Sequence, residues 1–152
     1  MTKNMKKTVL SLLTALTVFP AVADFSLVQD GTSKCAVIRP KGASQTEVFA
    51  ARELSTYLKK ITGAEVNVLR RPDAQLYNIY LGTVDNPDFL LPDKAKSLIP
   101  RLQYDGFALY SDETGMYIFS KEKRGILYGV YEVLKRYGGI RWIHPGEKGE
   151  FF

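Results

Sequence analysis

Hydrophobic residues recur every three or four positions in two segments of the chain, which is the spacing of an amphipathic helix. The first segment begins after Ser44, because Ser44 and Glu47 have the Ser-x-x-Glu spacing of a capping box, and it should end at Gly63. The second covers about residues 125–137 and is followed by two glycines. The residues expected on the buried faces are Val48, Ala51, Leu54, Leu58 and Ile61 in the first helix and Ile126, Val130, Val133 and Tyr137 in the second.

Alternating or continuous apolar runs predict strands around these helices. The strands are expected at residues 25–29, 35–39, 65–69, 76–83, 105–111, 116–120 and 140–143. Residues 30–33 and 112–115 have the composition of turns, and Val66 and Val68 should face inward. Residues 76–83 are apolar or aromatic on both sides, which predicts a central strand that is covered on two faces or has one face against a partner.

A long connection with three prolines follows the strand at 76–83 and contains one short predicted helix, at residues 93–99. The resulting order is two strands, a helix, two strands, the short helix, two strands, a helix and a last strand. Hairpins predominate, and each long helix has a single apolar stripe. We therefore expect an α+β fold, a two-layer sandwich in which a mixed β-sheet carries both main helices on one face.

The first 23 residues have the pattern of a secretory signal peptide. Three lysines lie within residues 1–7, and an apolar run over residues 9–23 ends in Ala-Val-Ala, which predicts cleavage between Ala23 and Asp24. The expected product is secreted, either to the periplasm or to the outside of the cell. One domain is expected at residues 24–146, and residues 147–152 are expected to begin a linker.

Charge and hydropathy argue against two kinds of partner. The whole chain has a formal charge of +5, and loss of the three leader lysines leaves +2, which is too little for the basic face that nucleic acid requires. No segment after the leader approaches about 20 consecutive apolar residues, so we expect no membrane span after cleavage.

Few residues are candidates for chemistry. The chain has one cysteine, Cys35, and one histidine, His144, so we expect neither a metal site nor a cofactor. Cys35 lies in an apolar run and should be a buried hydrophobic residue. Gly125 and Gly129 lack the surroundings of a phosphate loop, so they should allow a helix to approach the sheet, or else admit a ligand. No pair of carboxylates has a spacing that identifies a glycosidase site.

Aromatic residues make up 12% of the chain, and many of them occur at helix or strand spacing. Packing in a core or an interface is the usual role of such residues, although exposed tyrosines and Trp142 could also stack on sugar rings. The residues alone therefore predict a secreted α+β domain without catalytic machinery of its own.

Five motifs occur in order along the chain. They are AARELSTYLKKITGA at 50–64, IYLG at 79–82, DGF at 105–107, RGILYGVYEVL at 124–134 and GIRWIHPG at 139–146. The set resembles the non-catalytic domain that precedes the barrel in α-glucuronidases, β-N-acetylhexosaminidases and related secreted proteins, over about residues 24–150. The resemblance implies a fold like hexosaminidase domain 2. It also implies that the catalytic groups belong to a (β/α)₈ barrel, so no catalytic residue is expected here.

In the resembled family, the Arg-Trp-x-x-Pro segment leads toward the barrel. Arg141, Trp142 and His144 are therefore the candidates for domain docking or for substrate contact. We expect the non-catalytic accessory domain of a secreted glycoside hydrolase of the α-glucuronidase or hexosaminidase type, supporting a (β/α)₈ barrel absent from this chain. Phe151 and Phe152, with no closing element predicted beside them, suggest a chain cut before its next domain or a fragmentary gene product. The alternatives are a free-standing carbohydrate-binding module and a structural protein-interaction module.

Overall fold

The structure, a computed structural model, describes residues 27–143 and 147–151. The predicted signal peptide and its cleavage site lie outside the described residues. The strands are β1 (Val28–Gln29), β2 (Thr32–Ser33), β3 (Cys35–Ile38), β4 (Val68–Leu69), β5 (Tyr77–Thr83), β6 (Phe107–Asp112), β7 (Gly115–Ser120), β8 (Arg141–Trp142) and β9 (Glu150–Phe151). The helices are α1 (Gln45–Thr62), α2 (Asp93–Lys96) and α3 (Lys123–Gly138), with 3₁₀ turns at Ile99–Arg101 and Glu147–Gly149.

Five of these strands form the main sheet, in the order β4-β3-β5-β7-β6. Strand β3 is parallel to β4 and β5, and β5 is parallel to β7, whereas β6 is antiparallel to β7. The sheet is therefore mixed, and β5 is its central strand. The pairs β1–β2 and β8–β9 form two separate antiparallel ribbons.

Both long helices pack on one face of this sheet. Leu54 of α1 and Ile126 and Val130 of α3 share a buried core with Ile79 and Ile118 of the central strands. The two helices also pack against each other. These contacts confirm the predicted two-layer α+β sandwich.

The connection between β5 and β6 covers much of the opposite face of the sheet. Phe89 and Leu102 from this connection pack there against Tyr117 and Phe119 of β7, in a second and smaller core. The central strand is thus covered on two faces, which is one of the two arrangements that its sequence left open.

The ends of both long helices follow the predicted chemistry. The Glu47 amide donates a hydrogen bond to the Ser44 hydroxyl at 3.3 Å, and the Ser44 amide donates one to the Glu47 carboxylate at 2.6 Å. Helices α1 and α3 end at Gly63 and Gly139, whose φ angles of 74° and 71° lie in the left-handed region that favours glycine.

Glu47 also connects α1 to the central strand. Its side chain is 2% exposed, and its Oε1 accepts hydrogen bonds from the amide of Thr83 at 2.8 Å and from the hydroxyl of Thr83 at 3.2 Å. One carboxylate therefore joins the beginning of α1 to the end of β5.

Two glycines of α3 face the sheet at short range. A Cβ atom at Gly125 would lie 2.1 Å from the Ser120 hydroxyl, and one at Gly129 would lie 2.6 Å from Cγ2 of Ile118. Any larger residue would therefore collide with β7. This confirms that the glycines allow α3 to approach the sheet closely.

Two details near the beginning of the sheet differ from the sequence predictions. Thr32 and Ser33, expected in a turn, form β2, because Asp30 and Gly31 alone make the reversal with φ angles of 52° and 70°. Val66 is buried as expected, but Val68 is exposed, because the regular pairing of this segment is confined to Val68–Leu69 at the edge of the sheet.

Two further differences concern the C-terminal part. Tyr137 is 64% exposed instead of buried, and Leu134 occupies the core because it lies one helical turn after Val130. Glu150 and Phe151, which we expected at the start of a linker, form β9 and pair with β8. A two-residue strand has too few positions to show an alternating pattern, so hydrophobic periodicity cannot predict it.

Candidate functional site

Helices α1 and α3 meet along a surface that we call the seam surface, made of Phe49, Glu53, Tyr128 and Tyr131. The Tyr131 hydroxyl donates a hydrogen bond across the helix pair to Glu53 Oε2 at 2.8 Å. Phe49 precedes Glu53 by four residues and Tyr128 precedes Tyr131 by three, so each lies about one turn earlier on its helix. Phe49 and Tyr128 are 47% and 45% exposed. The seam surface therefore presents two aromatic rings to the surroundings.

The ribbon of β8 and β9 contacts both helices through one indole ring. Trp142 meets Tyr57 of α1 edge to face, with ring centroids 5.5 Å apart and an interplanar angle of 86°. It meets Tyr131 of α3 in the same way, at 5.1 Å and 75°. Edge-to-face contacts of this kind are favourable for aromatic rings, so Trp142 fixes the ribbon at the end of the seam surface.

Hydrogen bonds extend this contact into what we call the Tyr57 network, made of Tyr57, Lys60, Trp142 and Glu150. The indole Nε1 of Trp142 donates to the Tyr57 hydroxyl at 3.2 Å, and that hydroxyl donates to Glu150 Oε1. The Lys60 ammonium lies 2.9 Å from Glu150 Oε2 and 4.8 Å from the centroid of the Tyr57 ring. The network thus joins α1 to both strands of the ribbon.

The protonation states of these groups fit a structural network. Burial, and then the hydrogen bond to Glu150, raises the pKa of Tyr57 above its ordinary 10.0. Burial and the bond to Glu53 raise the pKa of Tyr131 as well. The hydrogen bonds from Tyr57 and Lys60 lower the pKa of Glu150 from its ordinary 4.5. Near neutral pH, the tyrosines are therefore protonated donors and Glu150 is an ionised acceptor, so none of the three is poised to transfer a proton to a substrate.

The three candidate residues from the sequence have different positions. Trp142 is half-buried in the Tyr57 network, and the neighbouring Arg141 is exposed on β8, where it pairs with Phe151. His144 lies outside the described residues. A role for these residues in docking or substrate contact stays a prediction.

Sequence reasoning did not find the partners of Trp142. Tyr57 and Tyr131 are among the aromatic residues at helical spacing, and that spacing does not indicate which residues they contact. Tyr57 and Glu150 are 93 positions apart, so no local motif could connect them. The four-residue step from Glu53 to Tyr57, two polar-tipped side chains on one helix face, is the one local signal that could have pointed to this surface.

The remaining chemistry of the described chain is sparse. Among residues 27–143 and 147–151, no group of three His, Cys, Asp or Glu residues could hold a metal ion. Cys35 is 1% exposed, and burial raises the pKa of its thiol, which confirms the predicted buried hydrophobic residue. No helix in the part that the structure describes is long and apolar enough to cross a membrane.

Comparison with known protein families identifies the class of the protein. The model of the family described as "Glycosyl hydrolase family 67 N-terminus" matches residues 20–133. That match covers most of the chain, and the chain therefore belongs to this family. This confirms the resemblance seen in the motifs. Comparison with curated proteins found no match.

Two solved structures are among those that match part of this chain. A family GH115 4-O-methyl-α-glucuronidase with specificity for decorated arabinogalactans matches 82% of this chain at 20% identity, with a TM-score of 0.52. A GH138 enzyme targeting pectin rhamnogalacturonan II matches 69% of the chain at 20% identity, with a TM-score of 0.48. The matched regions cover only 17% and 13% of those two proteins.

Proposed function

We propose that this chain is a non-catalytic accessory domain of an exported glycoside hydrolase. In this proposal the seam surface docks onto a (β/α)₈ catalytic domain, in the same polypeptide or in a separate one. The catalytic domain would cleave the glycan, and the accessory domain would support it. Family membership motivates the proposal, because the matching family is named for the N-terminal part of a glycosyl hydrolase.

The exposure of Phe49 and Tyr128 is the observation that carries the docking proposal. Large aromatic side chains that stay exposed on two helices packed against each other are typical of a surface that another domain covers. The other layer offers a less suitable surface, because the second core already covers much of the outer face of the sheet.

Trp142 supports the proposal from the end of the seam surface. Its contacts with Tyr57 and Tyr131 hold β8 in place, and β8 exposes Arg141 beside the two helices. Arg52 of α1 is exposed on the outer side as well. A partner that covers the seam surface and also meets the exposed Arg52 or Arg141 should carry acidic groups there.

The test of docking measures binding to a family 67 catalytic domain produced without its own N-terminal domain. The double variant Phe49→Ser/Tyr128→Ser should weaken binding at least about tenfold, since buried aromatic residues dominate interface energies. Leu90→Ser is the matched control, because Leu90 is 80% exposed in the connection on the opposite face of the sheet. Equal binding by the double variant and the control would contradict docking through these residues.

The absence of catalysis is tested separately on the chain alone. We expect no hydrolysis of aryl glucuronides or aryl N-acetylhexosaminides. Turnover that disappears when a single carboxylate is substituted would show that the chain has its own active site.

Export is tested by N-terminal sequencing of the secreted product, which should begin at Asp24.

A further inference from the structure

A cavity of about 250 Å³ opens on the face of the sheet opposite the two long helices. Tyr80 and Tyr117 form its floor, with stacked rings whose centroids are 4.6 Å apart and whose planes differ by 6°. Phe89, from the connection after β5, forms one side. We call this cavity the sheet-face pocket, and Arg39, Arg70 and Asp88 also line it.

Two arginines line the sheet-face pocket without a protein partner. Arg39 follows β3 and is half-buried, and Arg70 follows the neighbouring β4 and is exposed. Within the residues that the structure describes, neither guanidinium has a hydrogen bond or an ion pair. Both arginines line the same cavity, so two guanidinium groups are available there to an anion from outside the chain.

The only carboxylate among the described lining residues does not neutralise them. Asp88 accepts a hydrogen bond from the Gly42 amide at 3.1 Å and forms no ion pair with either arginine. The pocket therefore keeps a net positive charge. Its floor and side remain aromatic, so the charge lies at the edge of an apolar surface.

We propose that the sheet-face pocket binds a small carboxylic acid whose carboxylate is attached to a single ring. The carboxylate would meet the planar donor groups of Arg39 and Arg70, which match its geometry. The ring would pack against Tyr80 and Phe89. The cavity is smaller than the roughly 300–1,000 Å³ of pockets for drug-sized ligands, so it suits one ring rather than a chain of several.

Two sources share this chemistry, an acidic sugar and a cyclic organic acid. This inference does not depend on the proposed accessory role, because the pocket and the seam surface lie on opposite sides of the sheet. Docking can fail while the pocket binds its ligand, and the reverse also holds.

Calorimetric titration of the chain tests the proposal with four probes, which are glucuronate, cyclohexanecarboxylate, glucose and inorganic phosphate. We expect glucuronate, cyclohexanecarboxylate or both to bind with a dissociation constant in the millimolar range. Glucose and phosphate should each bind at least about tenfold more weakly. The tighter of the two carboxylates identifies the source of the ligand. Failure of both to bind would overturn the proposal, as would equal binding of glucose or of phosphate.

A double variant separates recognition by the arginines from binding elsewhere. Arg39→Gln/Arg70→Gln should lower the affinity at least about tenfold for the carboxylate that binds, since two charge-assisted contacts are lost. The variant should fold, because neither side chain has a partner in the described structure, and thermal unfolding checks this. Arg52→Gln, on the outer side of α1, is the matched control and should bind as the unaltered chain does. Unchanged affinity in the double variant would contradict the site.

Discussion

Trp142 is the only tryptophan of the chain, and it lies where the C-terminal ribbon meets both long helices. Its fluorescence therefore reports on one defined place in the molecule. Three of its neighbours (Tyr57, Tyr131 and Glu150) come from different elements, so the state of the ribbon can be followed through a single side chain.

Removing the Tyr57 hydroxyl should loosen this contact. In Tyr57→Phe, Trp142 Nε1 loses its acceptor and Glu150 loses a donor, which should lower the free energy of unfolding by about 1–3 kcal/mol. The tryptophan emission should also shift to longer wavelength as water reaches the indole. Chemical denaturation measures both effects. Tyr104→Phe, in an exposed loop, is the control, and equal effects in the two variants would contradict the network.

Acid should release the ribbon as well. The pKa of Glu150 is lowered in the folded state, so its contribution to stability is present above the ordinary value of 4.5 and is lost as the pH falls through the lowered pKa. A titration of Trp142 emission should therefore show a transition below pH 4.5. Glu150→Gln cannot ionise and should lack that transition. If it shows the same one, another group is responsible.

At the scale of the elements, Glu47 links the beginning of helix α1 to the end of strand β5. The capping box was visible as Ser44 and Glu47, whose spacing is local. The bonds from Thr83 were not visible, because the beginning of α1 and the end of β5 are 36 positions apart. Local chemistry thus predicts where a helix begins. The further partner of the capping side chain, here Thr83, depends on how the whole chain folds.

Glu47→Gln should destabilise the domain by about 1–3 kcal/mol. The amide nitrogen of glutamine would face either the Ser44 amide or the Thr83 amide, and both of these are donors. Thermal or chemical unfolding measures the loss. Glu113→Gln, in the exposed turn between β6 and β7, should change stability by less than about 0.5 kcal/mol. A loss at position 47 no larger than that of the control would show that the buried carboxylate does not matter.

The elements that the sequence predicted well are long and strongly patterned. Helix α1 has a cap, a stripe and a glycine stop, and the hairpin of β6 and β7 has clear alternation. The elements that the sequence did not predict are β2 and β9. Each has only two residues, which is too short to show a hydrophobic period. Tyr137 shows a related limit, since a tyrosine at helical spacing can face water when Leu134 fills the core.

At the scale of the whole molecule, the layer order could be predicted because each long helix has only one apolar stripe. The surfaces could not be predicted in the same way. The seam surface depends on which faces of two separate helices point outward, and the sheet-face pocket depends on where the connection after β5 settles. Both surfaces are set by contacts between distant residues, and neither has a continuous motif.

The central claim is that a catalytic domain covers the seam surface. Hydroxyl-radical footprinting tests it directly, by comparing oxidation of Phe49 and Tyr128 in the chain alone and in complex with the catalytic domain. We predict that both residues become protected in the complex while Leu90, exposed on the opposite face of the sheet, is oxidised at the same rate. Unchanged oxidation of Phe49 and Tyr128 in a complex that has formed would contradict the account.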